Sequence, residues 1–479
     1  MSKATQSRKA GAAAPLVEQI NNGRWLDQKE ASALLDELFF QRAIHAYMSM
    51  LPVLNTIGMR DGSEAAFGGG YNILPIWKDR MDSRCWVPTP NADVIYSMSY
   101  LDLKQHGPLV VAAPPNIIGM FTDFFQRTLT DVGLIGPDRA RGGLYLLLPP
   151  DYDGPVPQGY FAFTSSTYQV LLFFRTIMSP GANGPEMKQA VKTAEQTRVY
   201  PLWETEKTVK PMKFPNGSGK NVDMMYPVDM AFWTKLKAFV DYEPASAIPP
   251  ETSGVLASIG IRKGAPFKPD KTQKDLLLKA VLTAPRMIMA MRQLGRPDKR
   301  ERYYEDRQYQ NTWASGTSEW LQEDYLDINQ RACYFQIAFS SASAMVMRTL
   351  GAGSKYPFAT QDAKGEFLDG GNTYRLHLPP NPPASLFWAV TAYNITDGTM
   401  TSAPQLLPSI NSLDKSVSIN DDGSIDLWFG PTKPRAASGT NWIQTVPDRH
   451  FLAAVRLYGT GVEFFDQSWK PDDLVKEKK

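Results

Sequence analysis

The stretch Trp86–Asp102, WVPTPNADVIYSMSYLD, sets the reading of the N-terminal half. Val94, Ile95, Tyr96, Met98, Tyr100 and Leu101 are the β-branched, aromatic and long apolar side chains of a buried strand. The residues just before them are polar: Thr89-Pro90, then Asn91 and Asp93 two apart. Such a group reads in two ways. Asn and Asp side chains bond nearby backbone amides and so build turns. A carboxylate at the entrance of a strand can also face a cleft, as a general base or as the partner of an arginine.

Segments of the same kind recur on both sides. YNILPIW, PLVVAAPP, GLYLLLPP, GYFAFTSST and YQVLLFFRTIM lie between residues 71 and 178, separated by Gly- and Pro-rich turns. That spacing predicts an antiparallel sandwich or barrel. Residues 120–133, MFTDFFQRTLTDVG, fit either a helix or a long aromatic strand. Helical periodicity marks 31–51, ended by Pro52, then 229–244, 272–295 and 324–351, with Gly295 and Gly351 as stops. His45 reads as a histidine at the rim of the first stripe. From residue 366 strands return, and Asp422-Gly423 predicts a hairpin turn. The chain therefore reads as α+β, mainly β with helices: two antiparallel β-sandwich domains and a helical segment between or beside them. The expected boundaries are a partly disordered extension over 1–30, a first sandwich domain over 31–240, helices over 241–360 and a second sandwich over 361–479.

A chain of 479 residues exceeds what one core usually serves. Its 51 basic and 49 acidic residues are interspersed, which leaves no electrostatic footprint for nucleic acid. RPDKRER at 296–302 reads as a solvated loop. Cys85 and Cys333 read as two free thiols rather than a disulfide. The four histidines are scattered, so no metal site is expected, and no motif calls for a redox cofactor. No apolar run reaches the length of a membrane span, and the N-terminus lacks the apolar core of a secretory signal. A cytoplasmic protein without a membrane partner is the expectation.

Four constellations can carry chemistry. Asn91, Asp93 and Tyr96 form the first. Arg127 and Asp131, four apart, would pair on one helix face and grip an anionic substrate, or form a structural ion pair. Arg175 ends the apolar run LLFF beside Ser165-Ser166-Thr167-Tyr168, so it must leave the core or find a carboxylate such as Asp93 or Asp131. No nucleophile elbow surrounds those serines, which disfavours a serine hydrolase. The aromatics Trp388, Tyr393 and Trp442 suit either core packing or a ring-binding platform, with Trp442 in the most exposed setting. Arg456 is another charge within an apolar strand. NDDGSID lacks the full calcium loop and is explained as a turn. GPDRARGG matches no phosphate-binding loop.

Taken together, PNADVIYSMSYLDL, GPDRARGGLYLLLPPDYDGPVPQGYF, DGGNTYRLHLPPNPPASLFWAVTAYN, NDDGSIDLWFGP and VRLYG resemble the two-part family that pairs domain of unknown function 1254 with domain of unknown function 1214. The resemblance spans about residues 30–470. It implies a pair of jelly-roll-like β-sandwiches with packed helices, and homo-oligomers. The family includes exported members, and the resemblance implies no particular activity. Two positions depart from the family pattern. Val94 stands where Thr is usual. Tyr393-Asn394 stands where Tyr-Asp is usual, without the downstream Arg.

The leading expectation is an enzyme acting on a small organic substrate by hydrolase or lyase chemistry. Asp93 would be the acid/base and Tyr96 would position or donate a proton. Asn91, Arg127, Asp131 and Arg175 would hold the substrate. The alternative is a non-catalytic protein that binds a glycan or an aromatic metabolite near Trp388, Tyr393, Trp442 and Arg456. A structural or signalling oligomer is the third reading. Convergence of Asp93, Arg127 and Arg175 in one concave pocket would favour the enzyme.

Overall fold

Alternation along the strands decides what each sheet buries. In YQVLLFFRT, Val170, Leu172 and Phe174 point one way into one hydrophobic core. Leu171 and Phe173 point the other way into a second core, and Arg175 shares their parity. The strand is covered on both faces, as its continuous apolar run requires. The computed structural model describes residues 25–178, 185–204, 208–294 and 301–478. The expectations for residues 1–24, Gly295 and most of RPDKRER lie outside those residues.

The first half carries β1 (Cys85–Trp86), β2 (Ile95–Asp102), β3 (Leu109–Ala113), β4 (Ile117–Asp123) and β5 (Thr128–Val132). It continues with β6 (Gly143–Leu148), β7 (Phe161–Thr164), β8 (Gln169–Thr176), β9 (Arg198–Pro201) and β10 (Val222–Asp223). Two four-stranded sheets, β2-β8-β4-β5 and β7-β6-β3-β9, bury one core between them. The second half holds β11 (Tyr309–Gln310), β12 (Ser354–Lys355), β13 (Phe358–Ala359), β14 (Tyr374–Leu378) and β15 (Ala384–Asn394). After these come β16 (Ser409–Asn411), β17 (Ile425–Gly430), β18 (Trp442–Gln444), β19 (Phe451–Thr460) and β20 (Val475–Lys476). A sheet ordered β11-β13-β19-β15-β16, with β12 also on β19, packs on β18-β17-β14-β20 around another core. The fold is α+β, as read from the sequence. The sheets are mainly antiparallel, but β6 pairs with β7 and β17 with β18 in parallel.

Helices fill the space between the outer faces of the two sandwiches. A third core joins Tyr96, Met98 and Phe173 of the first sandwich to Phe387, Ala389 and Tyr458 of the second through the helices Gln28–Phe67, Lys271–Leu294 and Ile328–Ile337. No helix among the described residues is long and apolar enough to cross a membrane.

Four local expectations are corrected. The first helix does not end at Pro52 but runs through it from Gln28 to Phe67. Neighbouring side chains tie down the backbone there, since the Pro52 carbonyl accepts from Thr56 Oγ1 and from Gln126 Nε2, each at 3.0 Å. Residues 120–133 are neither a helix nor one strand but the β4–β5 hairpin, with Asp123–Arg127 at its tip. Residues 324–351 are not one helix. Helix Ile328–Ile337 stops, 338–342 run irregularly, and a short helix follows over Ser343–Val346. Buried amides take over the backbone at this break: Asn55 Nδ2 donates to the Phe335 and Ala338 carbonyls at 2.9 and 3.1 Å. Finally, Asp422-Gly423 does form a turn, but only β17 follows it and no strand precedes it, so there is no two-stranded hairpin.

Candidate functional site

A cavity of about 600 Å³ opens between the two sandwiches, within the range of small-ligand sites. Its lining draws on β2 and β8 of the first sandwich, β15 and β19 of the second, and the broken helical segment after Asp327. Five of the residues singled out in the sequence meet there: Asn91, Tyr96, Arg175, Tyr393 and Arg456.

Arg175 and Arg456 are the buried charges that β8 and β19 bring to it; Arg292, Glu301, Arg302 and Asp327 also line it. Arg175 is 7% and Arg456 6% exposed, yet neither forms an ion pair with a carboxylate among the described residues. Arg175 donates from Nη1 to the Tyr356 hydroxyl at 3.4 Å, and its Nε has no partner among the described residues. Among the described residues Arg456 reaches only the Thr89 carbonyl, at 3.5 Å from Nη2, while its Nε and Nη1 have no partner. A guanidinium stays charged in a protein, so these are buried cations held without a direct counter-ion. Tyrosines surround them instead: the Arg456 Cζ is 5.2 Å from the Tyr393 ring centroid and 5.8 Å from that of Tyr356. Burial raises the Tyr96 phenol above its ordinary pKa, and the charges of Arg175 and Arg456 pull it back down. The Tyr96 hydroxyl makes no hydrogen bond with the described residues.

WVPTPNAD is both a turn and the edge of this cavity. Asn91 Oδ1 accepts from the Asp93 amide at 2.7 Å, which closes the turn, and Asn91 Nδ2 donates to the Tyr458 hydroxyl. The neighbouring bonds cross to the second half of the chain. Tyr393 donates its hydroxyl to the Pro90 carbonyl at 2.6 Å, and the Thr89 amide donates to the Gly398 carbonyl at 2.7 Å. The stretch is a junction between the sandwiches.

Asp93 is fully buried but does not line the cavity. Its carboxylate accepts from Asn411 Nδ2 at 2.7 Å and from Ser409 Oγ at 3.1 and 3.2 Å. It acts through space on Arg456 and Tyr96. Arg127 and Asp131 do not pair. Arg127 binds Asp123, Nε to Oδ2 at 2.7 Å, because the hairpin tip places those two side by side. Neither Arg127 nor Asp131 lines the cavity. Trp388 is buried in the second sandwich core. Trp442 is half-buried in β18 and donates from Nε1 to the Gly430 carbonyl at 3.1 Å. Val94 is buried in the core beside helix Gln28–Phe67, and Asn394 holds its own turn, donating to Thr399 Oγ1 at 2.8 Å. Cys85 and Cys333 are free thiols. Sequence reasoning missed Trp313, Tyr334, Phe339 and Tyr356 as cavity residues. Two of them, Tyr334 and Phe339, lie in or beside the segment where the helix breaks.

Asp131 titrates unusually. Burial pushes its pKa from 3.8 up to about 6, against the hydrogen bond from the Ala344 amide and the charge of Arg175. A folded-state pKa raised in this way favours the folded protein below about pH 4, and the advantage is lost as pH rises through about 6. Asp131→Asn is therefore expected to gain stability relative to the parent as pH climbs through that window, by at most about 3 kcal/mol. Urea unfolding at pH 4 and at pH 7 measures it; a difference that does not change with pH would contradict it.

The family model described as protein of unknown function DUF1254 matches residues 71–201, and that described as protein of unknown function DUF1214 matches residues 353–462. No curated protein matches the chain. The crystal structure of the VPA0106 protein from Vibrio parahaemolyticus superposes over 92% of this chain and 100% of its own, with a TM-score of 0.55 and 17% identity. That similarity concerns the fold alone. An uncharacterized protein from Burkholderia cenocepacia aligns over 93% of this chain and 95% of its own, with a TM-score of 0.39 and 11% identity. With both matches in the expected order along the sequence, the chain belongs to the two-domain family that joins a DUF1254 domain to a DUF1214 domain.

Proposed function

We propose that this protein takes a small organic anion into the cavity between its sandwiches and acts on it by acid/base chemistry. One observation carries this reading: two buried arginines, one from each sandwich, line a single cavity without an ion pair to a carboxylate among the described residues. Buried charges are ordinarily paired, so a carboxylate ligand would supply the missing half of the arrangement. Tyr96, with a free hydroxyl close to both cations, is the proton donor in this reading. Asp93 is moved from general base to positioning residue, because its oxygens already serve Ser409 and Asn411. Lyase or hydrolase chemistry suits such groups.

A second reading, non-catalytic capture of the same anion, is favoured by two features: Asp93 and Arg127 do not join Arg175 in the cavity, and no histidine lines it. A panel of simple carboxylates against their neutral amides separates binding from its absence. Carboxylates are expected to raise the melting temperature of the full chain and amides to leave it unchanged. Equal responses to acid and amide would refute the anion reading. Tyr96→Phe then separates the two versions: turnover is lost and binding kept in the enzyme, while a purely binding protein has no turnover to lose.

A further inference from the structure

The proposed anion site also has walls of aromatic rings, and the ligand class they imply rests on the anion reading. Tyr96, Phe173 and Phe339 form one ladder, with centroids 4.9 Å apart between the first two and 5.3 Å between the second two. Trp313, Tyr356 and Tyr458 form another, with separations of 6.4 and 6.0 Å. All six line the cavity. Arg175 ties the ladders together through the middle ring of each. Its Cζ is 5.0 Å from the Phe173 centroid, and its Nη1 is 3.4 Å from the Tyr356 hydroxyl.

We propose that the ligand is an aromatic carboxylic acid, with its carboxylate at Arg175 and Arg456 and its ring against these ladders. Planar fork geometry suits a guanidinium to a carboxylate. Ring-to-ring contacts in edge or offset arrangement add about 0.5–1.5 kcal/mol each beyond the area they bury. A saturated acid of the same size and charge gains the area alone. A sugar acid would set its hydroxyls against ring faces. A short dicarboxylate would leave the ring-lined space unfilled.

Calorimetric titration of the full-length protein with benzoate, cyclohexanecarboxylate, acetate and benzamide tests this. Benzoate is expected to bind about tenfold tighter than cyclohexanecarboxylate, the equivalent of about 1.4 kcal/mol. Acetate is expected to bind more weakly still, and benzamide not at all. Phe339→Leu should narrow the ratio of benzoate to cyclohexanecarboxylate and leave acetate unchanged. Phe358→Leu, which removes a half-buried ring of the cavity lining outside the two ladders, should narrow the same ratio and gives a second reading should the first variant fail to fold. Equal affinity for benzoate and cyclohexanecarboxylate would overturn the aromatic preference and leave the anion reading standing. No response to any of the acids would remove both.

Discussion

Arg456→Met is expected to melt at a higher temperature than the parent when no ligand is present, and to lose its response to carboxylates. Arg456 is 6% exposed, and two of its three guanidinium nitrogens have no partner among the described residues. A buried charge in that state costs stability, and replacement by an apolar side chain of similar length is expected to recover about 1–4 kcal/mol. The same replacement takes away half of the charge that would hold an anion. A structural arginine behaves in the opposite way, because truncating a satisfied buried ion pair strands its partner and destabilises by several kcal/mol. Thermal and urea unfolding of the ligand-free proteins, followed by carboxylate titration, read both arms. A destabilised variant that still responds to carboxylates would show that Arg456 serves the fold rather than a ligand. Arg175→Met is expected to follow the same pattern less strongly, since among the described residues Arg175 leaves one buried nitrogen unpartnered where Arg456 leaves two.

Parity along single strands was legible in the sequence. Leu171, Phe173 and Arg175 share one face of β8, and Leu452, Ala454, Arg456 and Tyr458 share one face of β19, so each arginine had to find something other than sandwich core. What lay opposite each arginine was not legible. The Asn91–Tyr458 bond joins residues 367 apart, and no local pattern announces such a meeting. The error over Arg127 has a local cause: Asp123 and Asp131 both stand four residues from it, and i, i+4 spacing implies pairing only on a helix. The wall formed by Phe339 and Tyr334 was hidden because FQIAFSSASAM continues a helical periodicity. Buried amides from Asn55 and Gln126, far away in sequence, stabilise the break instead. Tertiary hydrogen bonds overrode local preference at the place where the chain lines the cavity.

Gly398→Ala should be among the most damaging single substitutions, because it strikes where the two halves meet. Gly398 has φ +72°, and an added Cβ would lie 1.7 Å from the Ile337 carbonyl oxygen, closer than any real contact. That carbonyl belongs to backbone and cannot rotate away as a side chain would. Ile337 ends the helix that lines the cavity, and the Gly398 carbonyl accepts the Thr89 amide at 2.7 Å, so the shift would spread to both sides of the junction. A loss of about 3–5 kcal/mol is expected, in the range reserved for core overpacking and backbone strain. Any protein that still folds should respond more weakly to carboxylates, because Thr89 and Ile337 both line the cavity. Gly365→Ala is the control: it also has positive φ, 80°, but meets nothing within 4 Å, so it carries only the backbone cost of about 1 kcal/mol. Similar losses at the two sites would mean that the 394–399 turn does not press on helix Ile328–Ile337, and the cavity would lose one of its walls.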